Sequence, residues 1–242
     1  MLAFQAGCLD MCTLDPRENR ILAALPDADV EAICDASVVV PLTLRLPLEV
    51  PGEPIEHVYF PLSGLASVVL VRGSQRIEVG LIGPEGATGL SLILGGNATP
   101  LDCFVQAVGR ALCLPAAQFL LLAESRPALR AQVLLFVLEF HLQLAETALA
   151  NARGRIEERL ARWLLMTHDR VGETTLHLTH DFLSQMLGVR RPGVTTALQS
   201  LEEQRLIRSN RAKIVVLDRA GLIERASGFY GGPSPAKLTS GI

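Results

Sequence analysis

Lysine is almost missing from this chain. Two of 242 residues, Lys213 and Lys237, are lysine, and every other cation of the twenty-two is arginine. No lysine follows the glycine-rich run "GPEGATG" (83–89), which excludes a phosphate-binding loop there. Long apolar runs are missing too. The longest uncharged ones, "VLLFVL" (133–138) and "FLLLA" (119–123), fall short of the ~18–20 residues of a membrane span. Residues 1–12 hold no basic cluster, so no secretory signal is expected. Cysteine is scarce and odd in number. Cys8, Cys12, Cys34, Cys103 and Cys113 are scattered, and without an export signal they read as reduced thiols of a cytoplasmic protein. Histidine is sparse as well. His57 is the only one in 37–114, so several ligands for a metal-dependent enzyme do not converge there. The expectation is no cofactor and no catalytic centre, with Cys34 and Cys103 packed as apolar residues.

What is present is a core and a lopsided charge. Apolar residues make up 49% of the chain, ample for one large domain or two ordinary ones. The net charge of −3 hides an asymmetry. Residues 1–150 hold eight arginines and no lysine against sixteen acids, a net of −8. Residues 151–242 hold twelve arginines and two lysines against nine acids, a net of +5. A basic module joined to an acidic one fits this better than chance surface variation does.

The patterning divides the chain further. Residues 16–36 read as helical, with Pro26 separating two segments. From Ser37 to Leu114, short Val/Leu/Ile runs punctuated by Gly and Pro predict an antiparallel sandwich or barrel, with "PLSG" (61–64) and "GPEG" (83–86) as turns. A helix follows from Pro127 to about Ala150. It carries one apolar stripe of Leu129, Val133, Phe136, Phe140 and Leu144 and a second of Leu134, Leu138, Leu142, Ala145 and Leu149. One stripe packs on the chain's own sheet, and the other asks for a second partner, either a second subunit or the interior of a monomer. The expected dimer seam comprises Val133, Phe136, Val137, Phe140 and Leu144. The domains are thus 1–126, 127–150 and 151–230, with a flexible tail at 231–242.

In the basic part, Ile156, Leu160, Trp163 and Leu164 mark a helix that stops before Gly172. Thr179 reads as an N-cap of a helix ending at Leu187, Gly188 turns the chain, and a second helix runs from about Arg191 to Gln204. "LIRSNRAKIVVLD" (206–218) then reads as a hairpin. Helix, turn, helix and hairpin form a winged helix-turn-helix. Arg190 and Arg191 sit where the helix macrodipole is already positive, so the fold itself gains nothing from them. A DNA phosphate, or the paired acceptors of guanine, repays them. Pro192 is tolerated in a first turn, and Gly193 offers close approach of the backbone to DNA. Thr195, Thr196 and Gln199 share or flank the exposed face, Thr179 and His180 lie at the entry, and Arg208, Arg211 and Lys213 in the hairpin reach flanking phosphates.

With these residues in hand, the chain resembles the Crp/Fnr family of bacterial transcription regulators over roughly residues 20–230. "LTHDFLSQMLGVRRPGVTTALQSLEEQRLI" (178–207) is similar to its helix-turn-helix signature, "ARWLLMTH" (161–168) to the segment after its dimer helix, and "VYFPLSG" (58–64) and "VGLIGPEG" (79–86) to its sensor. The resemblance implies an α+β fold: an antiparallel double-stranded β-roll (jelly-roll) sensor, a long dimerisation helix and a C-terminal winged helix-turn-helix. It implies a homodimer on a two-fold symmetric DNA site, with RNA polymerase as a partner and no membrane. Two departures matter. The Arg, Glu and later Arg of many members fall here on Arg191, Pro192 and Thr196, so the target sequence differs. The Gly-Glu and Arg-Ser pairs that hold a cyclic nucleotide fall on Gly86-Ala87 and Leu101-Asp102, so the phosphate-binding arginine is gone and the effector is not cyclic AMP. One branch of the family holds an iron–sulfur cluster on amino-terminal cysteines, but in a tighter group than Cys8 and Cys12, and four thiolates are required. His57 as a haem ligand is set aside likewise. The rival readings are a helix-turn-helix that contacts a protein and a β-roll enzyme, the latter without a visible catalytic group.

Overall fold

The structure, a computed structural model, describes residues 15–172, 175–210 and 213–231. Cys8, Cys12, Arg211 and all but the first residue of the expected tail lie outside them. The chain forms two compact units. One comprises the chain up to residue 66 together with 82–136, and the other comprises 67–81 together with 137–242.

The first unit opens with one turn of 3-10 helix, Pro16–Glu18, then α1 (Arg20–Ala23) and α2 (Asp27–Asp35), which Pro26 introduces as expected. Asn19 joins them to the sheet. Its Oδ1 accepts the N–H groups of Ile21 and Leu22, and its Nδ2 donates to the carbonyls of Pro61 (3.0 Å) and Gly86 (2.8 Å). A fully buried amide is stable only when its donors and acceptor are matched in this way.

Five strands follow: β1 (Val38–Leu42), β2 (Pro47–Glu49), β3 (His57–Arg72), β4 (Gln75–Ile82) and β5 (Asp102–Pro115). The order is β1-β5-β3-β4, with β2 also on β5. β1 runs antiparallel to β5, Val38 opposite Cys113 and Leu42 opposite Gly109. The expected turn at "PLSG" is not a turn. β3 runs through it for 16 residues, and β5 likewise runs through Gly109. The glycines serve another purpose. Gly64 has φ +84°, and a Cβ there would lie 2.7 Å from the Ala107 carbonyl oxygen; a Cβ on Gly109 would lie 2.2 Å from that of Ser63. Two strands can pass that closely only without side chains. "GPEG" does turn, with the Gly86 N–H donating to the Gly83 carbonyl. Val58, Phe60, Leu65, Val105 and Leu114 fill this β-roll. Two helices had no counterpart in the periodicity: α3 (Leu90–Ile93) and α4 (Ala116–Ser125), whose Phe119 and Ala123 are buried.

α5 (Pro127–Arg153) contributes to both units. In the first, Phe136 lies against Gly86 so tightly that a Cβ there would meet its ring at 1.9 Å. In the second, Phe140 lies over Gly80, and the Gln143 amide accepts from the Leu81 N–H (2.7 Å) and donates to its carbonyl (3.0 Å). Val133, Phe136, Val137 and Phe140, expected at a dimer seam, are therefore buried by their own chain, and Leu144 is half-buried. The second stripe stays in solvent: Leu134 is 37% exposed, Leu138 41% and Leu149 56%. By length and composition α5 also meets the requirement for a membrane span, which the short uncharged runs concealed. A helix covered on one face by its own chain and on the other by a protein partner has that same composition.

The rest of the second unit is α6 (Ile156–Val171), β6 (Thr175–His177), α7 (His180–Leu187), α8 (Arg191–Glu203), β7 (Ile207–Asn210), β8 (Lys213–Val216) and α9 (Arg219–Arg225). Gly172 ends α6 and Gly188 ends α7, both left-handed (φ +70° and +61°), as the sequence predicts. The three strands pair as β6-β8-β7. Leu164, Leu183, Leu187, Val194, Leu198, Leu201 and Ile214 are buried, each contributing about 1.5–3 kcal/mol of transfer free energy.

Candidate nucleic-acid interface

α7 begins on Thr179, whose Oγ1 accepts the Phe182 N–H at 3.1 Å. The hydroxyl is thus committed to the cap, and what Thr179 offers a ligand is the exposed start of a helix. His180 follows, its Nδ1 3.1 Å from Thr195 Oγ1 on α8. That contact ties the amino-terminal ends of the two helices together and turns His180 inward, leaving it half-buried.

α8 begins after Arg190, which is exposed and provides no side-chain cap. Arg191 is exposed too, and it has a partner that sequence reasoning missed. Its Nε lies 3.3 Å from Asp181 Oδ1 in the first turn of α7. A surface pair of this kind contributes about 0–1 kcal/mol and does not repay two cations at a positive helix end. The helix-turn-helix spacing places residue 181 near residue 191, and that was the signal available. Pro192, Thr196 and Gln199 are exposed, with the Thr196 hydroxyl donating to the Pro192 carbonyl (3.1 Å). Gly193 departs from its expected role. A Cβ there would lie 2.9 Å from Ile156 Cδ1, so its missing side chain makes room for α6. In the hairpin, Arg208 and Lys213 are exposed, and Ser209 anchors it to α8 by donating its N–H to Glu202 Oε1 (3.0 Å). Arg190, Arg191, Arg208 and Lys213 thus crown one unit whose buried face is wholly apolar.

A second polar cluster in this unit lies deep. Glu78 is buried, with Trp163 Nε1 donating to its Oε1 and Ser67 also bonded to it. Its Oε2 meets no partner among the described residues. Burial pushes this carboxyl up to about 8, against the pull of Ser67, Trp163, Arg170 and Arg162.

The residues expected at an effector pocket lie in the first unit. Gly86 is covered by Phe136, Ala87 is buried, and Leu101 and Asp102 are half-buried. Beside them the chain supplies a carboxylate of its own, with Gly89 donating its N–H to Glu49 Oε1 at 2.6 Å. Arg110, a conceivable replacement for the missing arginine, makes two 2.8 Å bonds to Glu18. Cys103 and Cys113 are buried, and burial pushes both thiols up, so they stay neutral.

The comparisons agree with this geometry. Residues 158–225 match the family model of the Crp-like helix-turn-helix domain. The chain is 28% identical over 178 residues to the global nitrogen regulator of Nostoc sp. (strain PCC 7120), covering 69% of this chain and 79% of that one. In fold it is similar to FixK2 from Bradyrhizobium japonicum, with a TM-score of 0.67 at 18% identity over 78% of this chain and 96% of that one. It is similar in the same way to a CRP/FNR family transcriptional regulator from Thermus thermophilus, with a TM-score of 0.64 at 24% identity over 78% and 98%.

Proposed function

We propose that this chain, which belongs to the Crp/Fnr family of transcription regulators, is a cytoplasmic homodimer that reads a two-fold symmetric DNA site and answers to a signal other than cyclic AMP. The observation that carries the reading is the exposed arginine pair at the amino-terminal end of α8, backed by Arg208 and Lys213 on the wing. Arg191 is the base reader, suited to the O6 and N7 acceptors of guanine, and Arg190 and the wing hold phosphates. RNA polymerase is the expected protein partner. Arg191→Ala should weaken binding to a duplex selected with the wild-type protein by about 1–3 kcal/mol and relax preference at one base pair of each half-site. Fluorescence anisotropy on a panel of single-base variants measures both. Equal loss on every variant would remove Arg191 from the reading role.

The dimer rests on the exposed stripe of α5. Leu134, Leu138 and Leu149 are apolar side chains in water, and a second copy of the helix offers them a matching face. Leu138→Glu leaves the intrachain packing of Phe136 and Phe140 alone and puts a charge into the seam. Sedimentation should then show monomers with weakened DNA binding. A wild-type chain that is monomeric at micromolar concentration would defeat the proposal.

Cyclic AMP and cyclic GMP should not bind at low micromolar concentration. Loss of one charge-assisted hydrogen bond at Leu101 costs about 1.5–3 kcal/mol, roughly 10–150-fold. Glu49 and Asp102 add like charge to the phosphate's surroundings, and Arg110 is engaged by Glu18. Calorimetry decides it; low-micromolar heats with either nucleotide would show that the chain rebuilt the site.

A further inference from the structure

The segment "LVRGSQRI" (70–77) carries two arginines and no acid within a half of the chain whose net charge is −8. It forms the tip of the β3–β4 hairpin, and that tip belongs to the second unit. Ile77 packs on the turn between α7 and α8: a Cβ on Gly188 would lie 3.0 Å from its Cδ1. Beside this contact runs an open groove of about 640 Å³, into which Arg72 and Arg76 of the hairpin and Arg190 before α8 all face. Ser184 and Gln185 add polar groups from α7, and among the described residues no carboxylate lines it.

Three guanidinium groups around one groove repel each other unless an anion lies among them. The anion at hand is a duplex. Arg190 immediately precedes Arg191, so a strand that passes Arg190 while α8 enters the major groove continues along the groove toward the hairpin. Arg72 spends one N–H on the Val71 carbonyl (2.9 Å), and a guanidinium has five. An open channel suits a backbone that tracks through it.

We propose that the β3–β4 hairpin is a second DNA-contacting element, in which Arg72 and Arg76 bind the phosphate backbone beside the segment read by α8. This rests on the DNA-binding reading above. The test uses the full chain with Arg72→Gln and Arg76→Gln together, and a duplex of ~40 base pairs selected from a random pool by the wild-type protein, long enough for two half-sites and their flanks. Binding is measured against salt. The double variant should lower the slope of log affinity on log salt by about 1.8 per protomer, two phosphates at ~0.9 each, with base preferences unchanged. The Arg72→Lys, Arg76→Lys variant should recover most of the slope. An unchanged slope in the glutamine variant, while Arg191→Ala still loses affinity, overturns the proposal and leaves DNA binding intact. Loss of base preference along with affinity also overturns it, because the hairpin would then act only by supporting α8. A wild-type protein that selects no duplex would instead overturn the reading on which the proposal rests.

Discussion

Raising salt from about 50 to 200 mM is expected to weaken duplex binding by about 10³–10⁵-fold, for a dimer that neutralises roughly 6–10 phosphates. The size follows from the kind of surface. Residues 151–242 carry a net charge of +5, and a dimer doubles it. The exposed members of that charge, Arg190, Arg191, Arg208 and Lys213, stand away from the buried apolar face of their unit. Each phosphate contact releases a condensed counterion, and that release is what salt opposes. The Asp181 partner of Arg191 does not cancel the effect, because both side chains are exposed and salt screens their attraction as well. Anisotropy titrations at several salt concentrations measure the slope. A flat profile on every duplex tried would point to a protein-contact module instead.

A comparably large effect is expected at Glu78. Burial raises its carboxyl to about 8 in the folded chain, against about 4.3 in the unfolded one. Between those values the folded state holds a proton that the unfolded state has released, so stability falls as pH rises. The contribution is fully present below about pH 4.3, declines by about 1.4 kcal/mol per pH unit, and levels off above about pH 8. Gln is the neutral isostere: it keeps an acceptor for Trp163 and has no proton to lose. Glu78→Gln should therefore be increasingly more stable than wild type as pH rises, by a few kcal/mol at pH 8. Arg159, Arg162 and Arg170 on α6 and Glu146 on α5 are common to both proteins, so their titration cancels in the difference. Urea unfolding of the pair across pH 5–9 measures it, and parallel stability profiles would show that Glu78 is solvated or ionised.

How much of this was legible in advance depended on the range over which each signal acts. The helix-turn-helix was plain because all its signals are local: the Thr179 cap, the 3.6-residue apolar period and Gly188 fall within ten residues, and the structure places them as read. The β-roll was legible as a class but not in its boundaries. Gly64 and Gly109 look like turn residues, and only the close passage of a strand some forty-five residues away gives them another purpose. The two stripes of α5 were visible, but not which one the chain keeps. Gly80 and Gly86, which receive Phe140 and Phe136, lie some fifty to sixty residues upstream. α4 was hidden because "FLLLA" has no polar face to reveal a period; Leu120 and Leu121 stay exposed. Glu49, Glu78 and Asp181 gave no signal, since a carboxylate acquires its meaning from what surrounds it.

The contact between Gly193 and Ile156 bears on how such a regulator changes its target. Base readers are exposed and can be exchanged freely, and grafting the first turns of another reading helix onto this scaffold looks simple. The graft also brings a residue at 193, and anything with a Cβ arrives 2.9 Å from Ile156 Cδ1. Either the isoleucine side chain yields or the helix is pushed outward and loses its depth in the groove. Target preference and scaffold are thus coupled through a pair of positions that touch no base. A retargeted descendant of this chain has to alter residues 156 and 193 together, so the nearest neighbours in operator space are reached by paired substitutions.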